Sequence, residues 1–276
     1  MRVALLTIGA LLGFAANSLL TRSALTTGVI DPSSFMIVRL LTGALTLALI
    51  VRARGPVPRP WAGTWRGAVA LSGYAIAFTI AYTRIGAAVG ALLLFGAVQT
   101  TMIAAGLLRG ERPRRSDWLG VAIAVAGLLV LTLPGAAAPD ALGAALMIAA
   151  GMCWGVYSML GRGARAPLLE TAGNFVRACV VILLPVAVWL RPEHITTRGA
   201  MLATASGALA SGVGYSLWYA ALPSLTAVRA AVVQLTVPIV TALAATWLLG
   251  ESVTSRLAIA ALLVASGVGL TIRRPT

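Results

Sequence analysis

The chain has 276 residues, 59% of them hydrophobic and only 10% charged, with a mean hydropathy of +0.95. A soluble domain carries about 45–50% apolar and about 25% charged residues, so this composition excludes a cytosolic or secreted globular fold. The net charge of +14 comes from 21 basic residues, every one an arginine. They are scattered along short loops between apolar runs, which argues against a nucleic-acid partner and for a lipid bilayer as the medium.

A bilayer helix needs roughly 20 apolar residues, and the apolar runs between breakers predict ten of them. They cover residues 3–21, 33–51, 67–84, 88–108, 117–133, 141–160, 170–190, 199–220, 226–249 and 254–272. Proline and charge end these runs at Asp31-Pro32, the stretch from Gly55 to Pro60, Arg112 to Arg115, Pro134-Gly135, Pro139-Asp140 and Arg191-Pro192-Glu193. The first run is longer than a signal-peptide core and no clear cleavage site follows, so it is kept as a span.

The arginines set the orientation. With the N-terminus in the cytoplasm, Arg2, Arg52, Arg54, Arg59, Arg66, Arg109, Arg112, Arg114, Arg115, Arg162, Arg165, Arg229, Arg273 and Arg274 lie inside. Arg22, Arg84, Arg191, Arg198 and Arg256 lie outside. The inward excess predicts a multi-pass inner-membrane protein with both termini cytoplasmic. Trp61, Trp65 and Trp118 suit an inner interface belt, Trp189 and Trp247 an outer one.

The two halves resemble each other. Gly13–Arg22 aligns with Cys153–Arg162, Phe35–Arg39 with Gly173–Arg177, and Gly110-Glu111 with Gly250-Glu251, at offsets of 138 to 140 residues. Residues 1–135 and 136–276 are thus read as two five-helix repeats. Five is odd, so the second copy runs upside down relative to the first, as in many secondary transporters.

These features, above all Leu107-Leu108-Arg109-Gly110-Glu111 and Leu248-Leu249-Gly250-Glu251 closing helices 4 and 9, resemble the drug/metabolite transporter superfamily. More narrowly the chain resembles the EamA-type exporters, and within them the YddG-like amino-acid exporters. The resemblance implies an all-α basket of ten helices around a central cavity lined by helices 1, 3, 4, 6, 8 and 9. It also implies export of amino acids or related metabolites. One departure is that Pro238 in helix 9 faces Val98 at the aligned position of helix 4.

Absences narrow the chemistry. Without lysine there is no P-loop and no Schiff base; Gly-x-Ser-x-Gly does not occur. His194 falls in an outer loop, and Cys153 and Cys179 fall within apolar runs with no metal-ligand spacing. No cofactor, metal or catalytic residue is expected, and an intramembrane enzyme is the weak alternative. No Asp or Glu lies mid-span, which predicts transport driven by the substrate gradient rather than by an embedded proton relay.

The candidate binding residues are aromatic and amide side chains. Tyr74, Phe78 and Tyr82 form one stripe of helix 3; Tyr215 and Tyr219, with Trp218 beside them, repeat it on helix 8. Phe14, Trp154 and Tyr157 come from helices 1 and 6, and Asn17, Gln99 and Gln234 add amides. Such a lining suits a small zwitterion with an apolar side chain; a multidrug or nucleotide-sugar carrier is the alternative. Arg39 and Arg177 within spans either meet a substrate carboxylate or reach helix-end carbonyls. Gly9/Gly13, Gly86/Gly90 and Gly207/Ser211 are small pairs for close helix approach, and Pro238 is a candidate hinge for rocking of helices 3, 4, 8 and 9. Ten spans enclose a pathway alone, so a monomer is expected, with a dimer as the alternative.

Overall fold

The structure is a computed structural model that describes all residues except 1, 56–61, 109–114, 133–137, 163, 189–191, 226–229, 231–232 and 273–276. Its helices group into ten spans. Spans 1 to 6 are α1 (Arg2–Thr26), α2 (Pro32–Ala53), α3 (Trp65–Arg84), α4 (Ala87–Leu108), α5 (Arg115–Thr132) and α6 (Ala141–Arg162). Span 7 is α7 (Pro167–Val181) followed by α8 (Leu183–Val188). Span 8 is α9 (Thr197–Ala205), a π-helical segment Ser206–Val213 and α10 (Gly214–Ala221). Spans 9 and 10 are α11 (Thr236–Leu249) and α12 (Ser255–Ile272). Four helices, α1, α2, α4 and α6, are long and apolar enough to cross a bilayer by length and composition alone.

Two interruptions have a covalent cause. Pro185 has no N–H to offer Val181, and the helix turns at Ile182. Pro238 has none to offer Gln234; the Val237 N–H takes the Gln234 carbonyl instead at 3.1 Å, and residues 234–235 form a turn. The aligned α4 carries Val98 and runs unbroken. An interruption at Pro238 is expected from the proline itself; the break at Ile182, within the single span predicted over 170–190, is a correction.

The outward faces of the helices are greasy. Leu5, Ile8 and Leu12 on α1 and Leu41, Leu45 and Leu49 on α2 are each more than half exposed. Stripes of that kind suit lipid, since water would leave large apolar patches uncovered. Trp247 is 90% exposed at the end of α11; Trp61 and Trp189 lie outside the described residues.

Contacts between the repeats follow a two-fold pattern. α3 packs on α6 as α1 packs on α10; α4 packs on α6 as α1 packs on α11; α2 packs on span 8 as α3 packs on α7. The self-related pairs α2–α7, α4–α11 and α5–α12 also touch. The direction of the repeats is fixed by ion pairs. Arg22, near the end of α1, meets Glu251, whose carboxylate also reaches Ala87 and Ala88 at the start of α4. Arg84 at the end of α3 meets Asp140, which precedes α6. Thus α6 begins on the face where α1 ends, and the equivalent helices run in opposite directions. We call this the distal face; the one where α1 begins is the N-terminal face.

Small residues set the closest crossing. A methyl at Gly13 would sit 3.1 Å from the Gly214 Cα and 3.2 Å from the Ala210 carbonyl oxygen, so the α1–α10 seam has no room for a side chain. On the distal face Asp31 clasps the repeats. Its Oδ1 caps α2 by accepting the Ser33 and Ser34 N–H groups at 2.9 Å, and its Oδ2 accepts those of Glu193 and His194 at 3.1 and 2.9 Å. Burial pushes this carboxyl up, but hydrogen bonds from Ser34, His194 and Glu193 outweigh it and hold the pKa below the ordinary 3.8.

Two predictions follow from these seams. Gly13→Leu is expected to cost about 1–3 kcal/mol through overpacking, read as a lower melting temperature in detergent, while Gly269→Leu, with nothing within 4 Å, leaves it unchanged. Asp31→Ala is expected to cost about 0.5–2 kcal/mol at neutral pH. A carboxyl with a depressed folded pKa contributes above its unfolded value and loses that contribution as it is protonated. The gap between wild type and Asp31→Ala therefore narrows once the pH drops below 3.8.

Candidate functional site

At the centre of the bundle, where α1, α3, α4, α6 and α10 converge, eight side chains enclose a void: Phe14, Asn17, Tyr74, Phe78, Leu94, Phe95, Trp154 and Tyr215. None is more than 6% exposed. The rings interlock: Phe14 lies edge to face 5.5 Å from Trp154 and 5.9 Å from Tyr215, and Trp154 lies tilted 4.7 Å from Tyr215. Such contacts are worth about 0.5–1.5 kcal/mol a pair beyond burial. The room left for the centre of a water molecule is about 10 Å³. That holds about one water, whereas a small-molecule site offers roughly 300–1,000 Å³. As it stands the void is too small for an organic solute, and admitting one would require the helices to part.

Six of the twelve aromatic and amide residues singled out from sequence line this void: Phe14, Asn17, Tyr74, Phe78, Trp154 and Tyr215. The other six are buried around it. Tyr82 meets Phe78 edge-on at 4.7 Å on the distal side. Tyr157 and Tyr219 meet at 5.9 Å on the side of the N-terminal face. Gln234 accepts from the Trp154 Nε1 at 3.1 Å and so steadies that wall from behind. Trp218 packs 5.6 Å from Phe14. Gln99 shares one face of α4 with Phe95 and Met102 by helical spacing; both its amide atoms are buried without a hydrogen-bond partner among the described residues. Leu94 and Phe95 were missed. They sit in a uniformly apolar helix whose sequence has no periodicity to mark an inner face.

The two intramembrane arginines part company. Arg177 is half-buried and reaches toward the N-terminal face, donating from Nη1 to the Ala62 and Gly173 carbonyls at 2.7 and 3.1 Å beneath Trp65. That is the helix-end arrangement. Arg39 is only 2% exposed. It donates from Nε to the Ser211 Oγ at 3.3 Å and from Nη2 to the Tyr74 hydroxyl at 3.0 Å. Its Cζ lies 5.2 and 5.0 Å from the Tyr74 and Phe78 ring centres, a cation–π sandwich edge. A charge at this depth costs roughly 2.5–3.5 kcal/mol on insertion scales. Among the described residues it is the one buried charged side chain.

The π-helical segment supplies this site, a feature absent from the expectation of a plain helix over 199–220. Gly207 abuts Thr42 and the Arg39 carbonyl, and Gly212 abuts Thr46, so α2 presses closely on span 8. The wider turn sets Ser211 against Arg39, and Ser206, whose Oγ donates to the Asn17 Oδ1 at 2.6 Å. Segments of this kind recur at functional sites.

On the distal side the void is sealed by Tyr82 and, above it, by the Arg22–Glu251 pair. Gly250 ends α11 at φ +66°, in the left-handed region that favours glycine, and turns Glu251 toward the other repeat. The Glu251 carboxylate then accepts the N–H groups of Ala87 and Ala88 at 2.8 and 3.3 Å, acting as a cap for α4. Arg22 bridges it, with Nε 3.5 Å from the carboxylate and Nη1 donating to the Tyr82 carbonyl at 2.8 Å. This explains the Leu-Gly-Glu motif physically. The matching Glu111 lies outside the described residues.

This ten-span inverted bundle around a buried aromatic centre defines a polytopic membrane transporter. The EamA-like transporter family model matches residues 1–133 and again 141–273, and the chain belongs to that family. It is 49% identical over 269 residues to an uncharacterized protein of Pseudomonas aeruginosa, PA1977, covering 98% of this chain and 94% of that one. A solved crystal structure superposes with a TM-score of 0.76 at 20% identity, over 98% of this chain and 95% of the other; that likeness concerns the fold.

Loosening the distal seal has a measurable consequence. With Cys153 and Cys179 replaced by serine and Leu94→Cys as reporter, Glu251→Gln is expected to raise the labelling rate by an impermeant thiol reagent added at the distal face. Unchanged labelling would show that the Arg22–Glu251 pair does not hold that face shut.

Proposed function

We propose that the protein exports small organic metabolites across the bacterial inner membrane by alternating access, foremost amino acids with neutral or aromatic side chains. The observation that carries this reading is the convergence of six aromatic side chains and the Asn17 amide on one central void. An aromatic wall with a few hydroxyl and amide groups accepts an apolar side chain and orients its polar end. A void this small suits the middle step of such a cycle.

The repeats 1–135 and 136–276 act as opposed halves. Rocking of α3, α4 and spans 8 and 9 opens one face at a time, with the turn at Gln234–Leu235 before Pro238 as hinge. The N-terminal face is cytoplasmic, consistent with the arginine asymmetry. A single chain encloses the route. The cycle runs on the substrate gradient: the described carboxylates Asp31, Asp140, Glu170, Glu193 and Glu251 stand at helix ends or in loops, so none is placed to relay protons through the core.

Counterflow tests this directly. Proteoliposomes loaded with unlabelled phenylalanine, and with no ion gradient, are expected to accumulate labelled phenylalanine, and Trp154→Ala to cut the rate at least tenfold. No flux with any of the twenty amino acids would contradict the reading.

A further inference from the structure

The Arg39 guanidinium is surrounded by neutral groups. Among the described residues its partners are the Ser211 and Tyr74 hydroxyls and the Tyr74 and Phe78 rings, with the Tyr215 hydroxyl nearby. Its Nη1 is buried and has no hydrogen-bond partner among the described residues. The Tyr74 oxygen accepts from two donors, Arg39 Nη2 and Asn17 Nδ2, each at 3.0 Å. An oxygen so loaded keeps its own proton to donate, with the Tyr215 hydroxyl as a neighbour, and Tyr74 lines the void. One edge of the cavity therefore offers a polarised O–H backed by a full positive charge. Nothing of opposite sign balances it: no described carboxylate is buried.

We infer that this edge receives the carboxylate of an aromatic or apolar organic acid, and that the cavity has no use for an ammonium group. Guanidinium and carboxylate match in charge and donor geometry. The substrate's apolar body then fills the ring-lined space beside Phe14, Trp154 and Tyr215. Tyr74 and Phe78 stand between Arg39 and the void, so the carboxylate meets the Tyr74 hydroxyl first and the free Nη1 as the rings part. An ammonium group would face the same positive charge with no acidic partner. The substrate class widens accordingly from amino acids to 2-oxo and 2-hydroxy acids with apolar side chains, and it excludes the corresponding amines. This rests on reading the cavity as the transport site.

Four ligands that share one ring separate the groups: phenylpyruvate, phenyllactate, phenylalanine and phenethylamine. Each is added to the purified full chain, binding is read by thermal shift, and transport is read by counterflow in proteoliposomes. Phenylpyruvate and phenyllactate are expected to stabilise the protein and to be carried at least as well as phenylalanine, with no effect from phenethylamine. Arg39→Gln is expected to weaken phenylpyruvate binding at least tenfold, and Arg39→Lys to restore part of it. Tyr74→Phe keeps the ring and removes the hydroxyl; it is expected to weaken binding several-fold and serves as the test should Arg39→Gln fail to fold. Binding and transport of phenylalanine without phenylpyruvate or phenyllactate would overturn the inference and leave the amino-acid reading standing. Phenethylamine binding as well as phenylpyruvate, or normal binding by a folded Arg39→Gln or by Tyr74→Phe, would also overturn it. Failure of all four ligands would count against both readings.

Discussion

A guanidinium held in the middle of a greasy bundle, with only hydroxyls and aromatic faces around it, is the constraint on which the rest of the structure turns. Arg39 ties α2 to α3 through Tyr74 and to span 8 through Ser211. To reach it, span 8 widens into a π-helical segment, and that segment also anchors Asn17 through Ser206. A charge without a counter-charge in low dielectric is costly, and a protein can retain it where a ligand completes it. The aromatic cavity lies against this charge, so the apolar lining and the buried charge share one wall.

The inverted repeat brackets that wall with related side chains on both faces. The same side-chain chemistry recurs on both sides of the centre: Tyr82 on the distal side, Tyr157 and Tyr219 on the other. The symmetry is broken where function needs it. Arg39 is buried while its mate Arg177 reaches loop carbonyls. α4 is continuous while its mate is interrupted before Pro238. Span 8 carries the π-helical segment while its mate α3 is regular. Each break loosens or loads one repeat relative to the other, and an unbroken partner gives it something rigid to move against.

Much of this was legible in the sequence, because bilayer physics leaves few choices. Apolar run length and arginine placement located the ten spans, and the 138-to-140-residue offset located the repeat. The aromatic stripes on helices 3 and 8 pointed to the centre, since matched rings on symmetry-related helices meet there. What stayed hidden depended on tertiary contact. Leu94 and Phe95 look like any other apolar residues of α4. Arg39 and Arg177 occupy aligned positions, and only packing shows that one is enclosed by Tyr74, Phe78 and Ser211 while the other finds Ala62. The Ser206–Val213 run is small and apolar enough for either helix type; the pressure of Thr42 and Thr46 on Gly207 and Gly212 accompanies the wider turn. The break at Ile182 lies three residues before Pro185 and the one at Gln234 four residues before Pro238; Pro238 was readable as a kink in the sequence, whereas Pro185 was not singled out.

The account stands on where a bound solute places its charge. An experimental structure of the full chain with an aromatic carboxylate in the central cavity measures that directly. The prediction is a carboxylate within hydrogen-bond distance of the Tyr74 hydroxyl and Arg39 Nη1, its ring against Phe14, Trp154 and Tyr215. A carboxylate turned toward Gln234 and the N-terminal face, or a ligand lodged outside the bundle with Arg39 still enclosed by its hydroxyls, would contradict it.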